Sequence, residues 1–344
     1  MRAAIIDKSG EVKITDVPKP TVGKNQVLVK INKVGVCMSD VHVAKGQFSY
    51  LQRAPGVNIG GHEGVGTIEE IGAGSEAHGL KKGERVAVKW ISWACQECEL
   101  CTSGYENICR KRIISGKDMD GCFSEYAVAH ADYLVRIPDN ISDADAAPVL
   151  CAGVTVYRGL KVASLKPGQW VAIIGAGGGL GHLAIQYAKA MGLKVAAIDG
   201  GAEKRQLCLD LGASVYVDFM NTQDLVKDVL DITAGGAHCA LVVASSARAY
   251  TQATQYIRFA GCMVCIGLST TPVQLPIGPE YFVGKGIRIL GTSTGSLKDT
   301  QESLQFVANG SVKPHIVEDE LTSLQRVLDR LEKGEQLGRV VLTV

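Results

Sequence analysis

Trp170-Val171-Ala172-Ile173-Ile174-Gly175-Ala176-Gly177-Gly178-Gly179-Leu180-Gly181-His182-Leu183-Ala184-Ile185 is the stretch from which the fold can be read. Its first five residues form a bulky apolar run suited to a strand buried on both faces. A glycine-dense turn follows. Apolar residues then recur at 180, 183, 184, 187, 188 and 191, the spacing of one helix face. Gly192 stops that helix, and Lys194-Val195-Ala196-Ala197-Ile198 is the next strand. A strand–helix–strand unit of about 30 residues implies a parallel, doubly wound sheet, hence an α/β domain.

Working outward, further strands are expected over 215–217, 240–243 and 263–266, helices over 300–308 and 321–333, and a terminal strand over 339–344. Toward the N-terminus the texture differs. Short strands over 1–7, 27–31, 64–68 and 85–88 are broken by Gly and Pro, which points to a β-rich barrel or sandwich. The change falls near Cys151. The length of 344 residues allows about two domains.

A net charge of +1 gives no electrostatic reason to expect nucleic acid or an anionic membrane as partner. No run approaches the roughly 18 apolar residues of a membrane span. The N-terminus has neither a signal-peptide core nor an Arg-rich transit segment, so a cytoplasmic location is expected. With that location, the 11 cysteines read as metal ligands before disulfides.

Their spacing supports this. Cys95, Cys98, Cys101 and Cys109 form C-x2-C-x2-C-x7-C, and four thiolates so close can enclose one tetrahedral zinc. An iron–sulfur motif also begins C-x2-C-x2-C but needs a fourth Cys at position 105, where Tyr stands. Four unrelated buried cysteines are the plain alternative, disfavoured by their clustering in a polar loop. The loop over 94–112 has little apolar content, so metal would supply its folding energy. A closed four-thiolate site is structural, with no position open for chemistry.

Three other segments carry ligand types: Cys37-Met38-Ser39-Asp40-Val41-His42, Gly61-His62-Glu63, and Leu150-Cys151-Ala152. A catalytic zinc wants three protein ligands and one open position, and Cys37, His62 and Cys151 are chemically suited. Spacing alone does not join them. Singly, the cysteines read as small core residues and His62 as a satisfied loop histidine.

Taken in order, these segments, the four-cysteine loop and the glycine turn resemble the zinc-dependent medium-chain alcohol dehydrogenases, most of all the yeast-type enzymes, over essentially the whole chain. The stretch from Gly181 to Gly192 and Ile198-Asp199-Gly200-Gly201 match that group in detail. The resemblance implies a GroES-like β-rich catalytic domain over 1–153 and 292–344, and a Rossmann NAD-binding domain over 154–291. It implies that Cys37, His62 and Cys151 hold a catalytic zinc, that Glu63 can exchange onto the metal, and that Asp40 orients His62. It also implies a homotetramer joined through the edge of the cofactor domain.

The cofactor reading is partly independent. The glycines let a pyrophosphate approach the backbone, and the helix N-terminus at Leu180 and Gly181 offers it unpaired N–H groups. The turn holds one residue more than G-x-G-x-x-G, an insertion the yeast-type enzymes share. Asp199 ends the next strand 24 residues after Gly175, where a carboxylate binds ribose hydroxyls and repels a 2′-phosphate, favouring NAD. Lys204 would soften that repulsion, though the family carries it with NAD. The resemblance adds Phe219, Ser246, Leu268, Thr294 and Arg339 near the cofactor, and a proton relay through Ser39 to His42.

The expected reaction is reversible hydride transfer between a primary or secondary alcohol and NAD, giving an aldehyde or ketone. The family pattern is broken at Met38, where a His or Arg usually meets the pyrophosphate. In the substrate pocket Trp90 is retained, while Phe48 and Ser293 replace larger groups, so bulkier substrates than ethanol are expected. The rivals are a zinc-free quinone or enoyl reductase on the same fold and a non-catalytic structural relative. The first typically lacks both cysteine sets, and the second does not account for the intact catalytic residues.

Overall fold

The strand Trp170–Ile174 lies inside a six-stranded sheet, which explains why no polar residue interrupts it. We describe residues 1–7 and 9–344 in a computed structural model. They fall into two compact units, Met1–Val154 with Thr294–Ala308 and Pro314–Val344, and Thr155–Ser293 with Asn309–Lys313.

In the second unit the sheet runs Val215–Asp218, Lys194–Asp199, Trp170–Ile174, Ala237–Val242, Ile257–Cys265, Arg288–Gly291, with every neighbour parallel. In chain order this is 3-2-1-4-5-6, the doubly wound dinucleotide-binding order. Val171, Ala172 and Ile173 are fully buried, as a strand covered on both faces requires. The helix Gly181–Ala190 packs on it with Leu183, Ala184 and Tyr187 inward. The last strand, Arg288–Gly291, was absent from the sequence reading; it is short, mostly exposed and bears no apolar alternation.

The first unit is built on Gln26–Val36. This strand pairs antiparallel with Glu63–Ile71, Tyr126–His130 and Arg339–Thr343, and the sheet extends to Arg85–Lys89, Val135–Arg136 and Ile316–Glu320. It runs five residues past the expected end at 31. Register shifts between Leu28 and Val29 and between Ile31 and Lys33 break the apolar alternation without ending the ladder. The core here gathers Val27, Val29, Val34, Ile68, Phe123, Leu324 and Val340. The helix expected over 321–333 opens as a tight turn, Leu321–Ser323, before Leu324–Glu332. Among the described residues no helix is long and apolar enough to cross a membrane.

Candidate active site and metal centres

Because Gln26–Val36 ends at Cys37 between two antiparallel neighbours, it sets three side chains around one point. Val34 faces Gly64 on one side and Val36 faces Val340 on the other. Glu63 and Arg339, one residue before those partners, therefore meet across Gly35. A Cβ on Gly35 would lie 2.0 Å from Glu63 Oε2, so only glycine leaves room for the carboxylate. The Arg339 guanidinium donates to Glu63 Oε1, and both side chains are almost wholly buried.

Cys37, His62, Glu63 and Cys151 each bring one ligand atom within 4.8 Å of the other three. The sulfurs of Cys37 and Cys151 are 3.9 Å apart, close to the roughly 3.8 Å edge of a tetrahedron with zinc–sulfur bonds of about 2.3 Å. Asp40 organises the approach. One carboxylate oxygen accepts the Cys37 N–H at 3.0 Å; the other accepts the Gly61 N–H at 3.2 Å and His62 Nδ1 at 3.0 Å. In its neutral form His62 therefore donates from Nδ1 and keeps its lone pair on Nε2. That Nε2 is buried without a hydrogen-bond partner among the described residues, as is Glu63 Oε2. Unpartnered buried acceptors are costly, and a cation between them removes that cost.

Protons are unevenly shared in this cluster, with Cys37 lowered and Cys151, Glu63 and His62 raised. Cys37 is held well below the usual thiol range, first by its hydrogen bond with Cys151 and then, against burial, by the charges of Arg339 and His62. Burial pushes Glu63 up to about 7 despite Arg339, with Cys37 adding to the rise. Burial, the largest single influence, opposes a charged His62, but Asp40 and Cys37 together outweigh it and lift the imidazole well above its ordinary value.

The four-cysteine loop makes the second cluster. Cys98–Cys101 and Cys95–Cys109 sulfurs are 3.6 Å apart, and Cys95–Cys101 and Cys98–Cys109 are 3.9 Å apart. These are tetrahedral edges, and far longer than a disulfide of about 2.05 Å. The loop is tied down by Glu106, whose Oε1 accepts from Tyr133 Oη at 2.9 Å and from the Leu297 N–H.

Around the first cluster, Ser39 Oγ lies 3.7 Å from Cys37 Sγ. The Trp90 ring stands edge-on to His62 at 4.7 Å, and Phe48 edge-on to His42 at 5.1 Å. Met38 is half-buried against the first unit's core. Thr294, buried with φ +48°, and Arg339 also belong to this unit. Arg339, read from sequence as a cofactor residue, has its guanidinium on Glu63; a separation of 276 residues gave no signal of that pairing.

The other nucleotide candidates sit in the second unit just beyond the carboxyl ends of successive parallel strands: Gly175, Gly178, Gly179, Leu180 and Gly181 after Ile174, Asp199 and Lys204 around the end of Lys194–Asp199, Phe219 after Asp218, Ser246 beyond Val242, and Leu268 beyond Cys265. Ser293 is the last residue of that unit's longer segment, Thr155–Ser293. Gly175 has φ +89°, and a Cβ on Gly181 would lie 2.1 Å from the Gly175 carbonyl oxygen, so the turn closes only with glycine at both ends. Asp199 accepts the Gly177 N–H at 2.9 Å, the Gly200 N–H at 2.8 Å and Lys204 Nζ at 3.0 Å, fixing the turn to the acidic strand end.

A two-thiolate, one-imidazole cluster in one unit and a 3-2-1-4-5-6 sheet with a glycine turn in the other define the class: a metal-dependent dehydrogenase. Two family models match, the alcohol dehydrogenase GroES-like domain over residues 23–139 and the zinc-binding dehydrogenase over 179–309. An alcohol dehydrogenase of Geobacillus stearothermophilus is 44% identical over 345 residues, covering 100% of both chains. Alcohol dehydrogenase 1 of Neurospora crassa is 41% identical, covering 97% of this chain and 94% of the relative. The crystal structure of the alcohol dehydrogenase from Aeropyrum pernix superposes with a TM-score of 0.89 at 31% identity, over 100% of both chains. The chain belongs to the zinc-dependent medium-chain alcohol dehydrogenase family.

Asp40 invites a direct check. Asp40→Asn removes the charge behind His62 and misplaces one acceptor. Zinc affinity of the Cys37 centre should fall about 10- to 100-fold, read by chelator competition; an unchanged affinity would show that the hydrogen bond at 3.0 Å does not tune the ligand.

Proposed function

We propose that the protein oxidises primary or secondary alcohols to aldehydes or ketones with NAD, reversibly, and that the pocket accepts substrates larger than ethanol. The observation that carries this is the convergence of Cys37, His62 and Cys151, with His62 Nε2 left without a hydrogen-bond partner among the described residues. These three residues would hold the catalytic zinc, with Glu63 in reach as an alternative ligand, and Cys95, Cys98, Cys101 and Cys109 the structural one. Zinc held there would supply Lewis acidity toward a hydroxyl oxygen, and a bound nicotinamide would supply the hydride acceptor.

The chain's own residues do the rest. Asp40 keeps His62 in the tautomer that presents Nε2. Arg339 neutralises Glu63 behind the cluster. Ser39 takes the hydroxyl proton from the substrate, and His42 passes it toward solvent. Trp90 and Phe48 bound the substrate side. Asp199 selects NAD through the adenosine ribose, with Lys204 limiting the local negative charge; acetophenone reductase from Geotrichum candidum, 29% identical, was crystallised in complex with NAD.

A cytoplasmic homotetramer completes the proposal. The outer strand of the second unit's sheet, Arg288–Gly291, supports this, since Phe259 on the adjoining strand and Val283 on the helix packed there are 70% and 85% exposed.

Turnover of an alcohol panel with NAD and with NADP tests the proposal. Oxidation with NAD, faster for branched or aryl alcohols than for ethanol, is expected; reduction of quinones with NADPH alone would overturn it. Met38 sets a second expectation. A thioether cannot make the charge-assisted contact, about 1.5–3 kcal/mol, that an arginine there would offer a pyrophosphate. Met38→Arg should lower the Kd for NADH by about tenfold or more, by fluorescence titration, and slow its release. An unchanged Kd would remove Met38 from the cofactor site.

A further inference from the structure

The helix Met38–Ala44 carries Asp40 and His42, and the way it ends controls the histidine. Gly46 adopts φ +56°, and its N–H donates to the Val43 carbonyl at 3.3 Å, while the Gln47 N–H reaches back to the His42 carbonyl at 3.1 Å. This is a Schellman closure, which sets the second residue past the cap Lys45 against the side chain one turn back. That contact is usually apolar. Here it joins Gln47 to His42, and Gln47 Oε1 accepts from His42 Nδ1. The imidazole is 6% exposed, with the Phe48 ring edge-on at 5.1 Å. Ring orientation and proton position are therefore both held.

A neutral imidazole carries one proton, and an amide oxygen only accepts. Bonded to Gln47 Oε1, Nδ1 keeps the proton and Nε2 carries the lone pair. We propose that Gln47 is a positioning residue of the proton relay, holding His42 with Nε2 ready to take up the alcohol proton. This rests on the reading of His42 as the relay's outer member. The proton enters at Nε2 while Nδ1–H stays on Gln47, and the imidazolium then gives one proton to water. Nothing in the sequence marks Gln47; the signal is Gly46, whose left-handed backbone turns the chain back.

A double-mutant cycle on the zinc-loaded enzyme, with thermal melts and metal content as controls, decides it. Gln47→Ala should lower kcat for alcohol oxidation roughly three- to tenfold and leave KM for NAD within about twofold. Gln47→Glu keeps an acceptor and should retain at least about half of wild-type kcat. In a His42→Ala background, Gln47→Ala should change kcat less than about twofold, because the two act as a unit. Equal losses in both backgrounds, or no loss in the wild type, overturn the proposal. An unaltered kcat in His42→Ala overturns the relay itself, so the two failures are told apart.

Discussion

His62→Ala is expected to lower alcohol turnover by on the order of 10³-fold or more and to take the protein from two zinc ions per chain to one. His62 provides the only nitrogen of the buried cluster, and its Nε2 has no other partner among the described residues. Without it, two thiolates and a carboxylate already paired with Arg339 remain, a weaker set for holding zinc with one position open. Several kcal/mol of charge stabilisation on the reacting oxygen then disappears, and each 1.36 kcal/mol is tenfold in rate. The fold should survive. Asp40 still accepts the Cys37 and Gly61 N–H groups, so the two loops stay joined. Metal analysis and steady-state assays on the same preparation read both effects. Full turnover with one zinc per chain would show that the cluster is not catalytic.

Cys98→Ser has its largest effect on stability. Cys98 Sγ touches both Cys101 and Cys109 across the loop, and a hydroxyl is a poor zinc ligand. Structural zinc sites contribute apparent binding energies of about 10–16 kcal/mol in isolated peptides. In this protein part of the loop is anchored independently, through Glu106 to Tyr133 and Leu297, so only a fraction should be lost. A fall in Tm on the order of 10 °C is expected, with limited proteolysis cutting within 94–112 and the catalytic zinc retained. An unchanged Tm would mean that protein contacts alone close the loop.

What the sequence disclosed follows the range of the interactions. The four-cysteine site was legible because its ligands lie within 15 residues and the spacing itself encodes the chemistry. The glycine turn was legible because strand, turn and helix are contiguous. Cys37, His62 and Cys151 could be joined only through family resemblance, since packing of the turn Ala147–Leu150 against the strands Gln26–Val36 and Glu63–Ile71 brings Cys151 to Cys37 across more than 100 residues. The Arg339–Glu63 pair escaped for the same reason, although Gly35 marks the space it fills. The Gln47–His42 contact escaped for another reason: it depends on the hand of one turn, and a glycine permits that hand without specifying which side chain returns.

The central claim is most directly tested by diffraction from crystals at the zinc absorption edge. Two anomalous peaks per chain are expected: one about 2.3 Å from the sulfurs of Cys37 and Cys151 and about 2.1 Å from His62 Nε2, the other about 2.3 Å from all four sulfurs of the loop. Absence of the first peak from active, zinc-loaded protein would contradict the account.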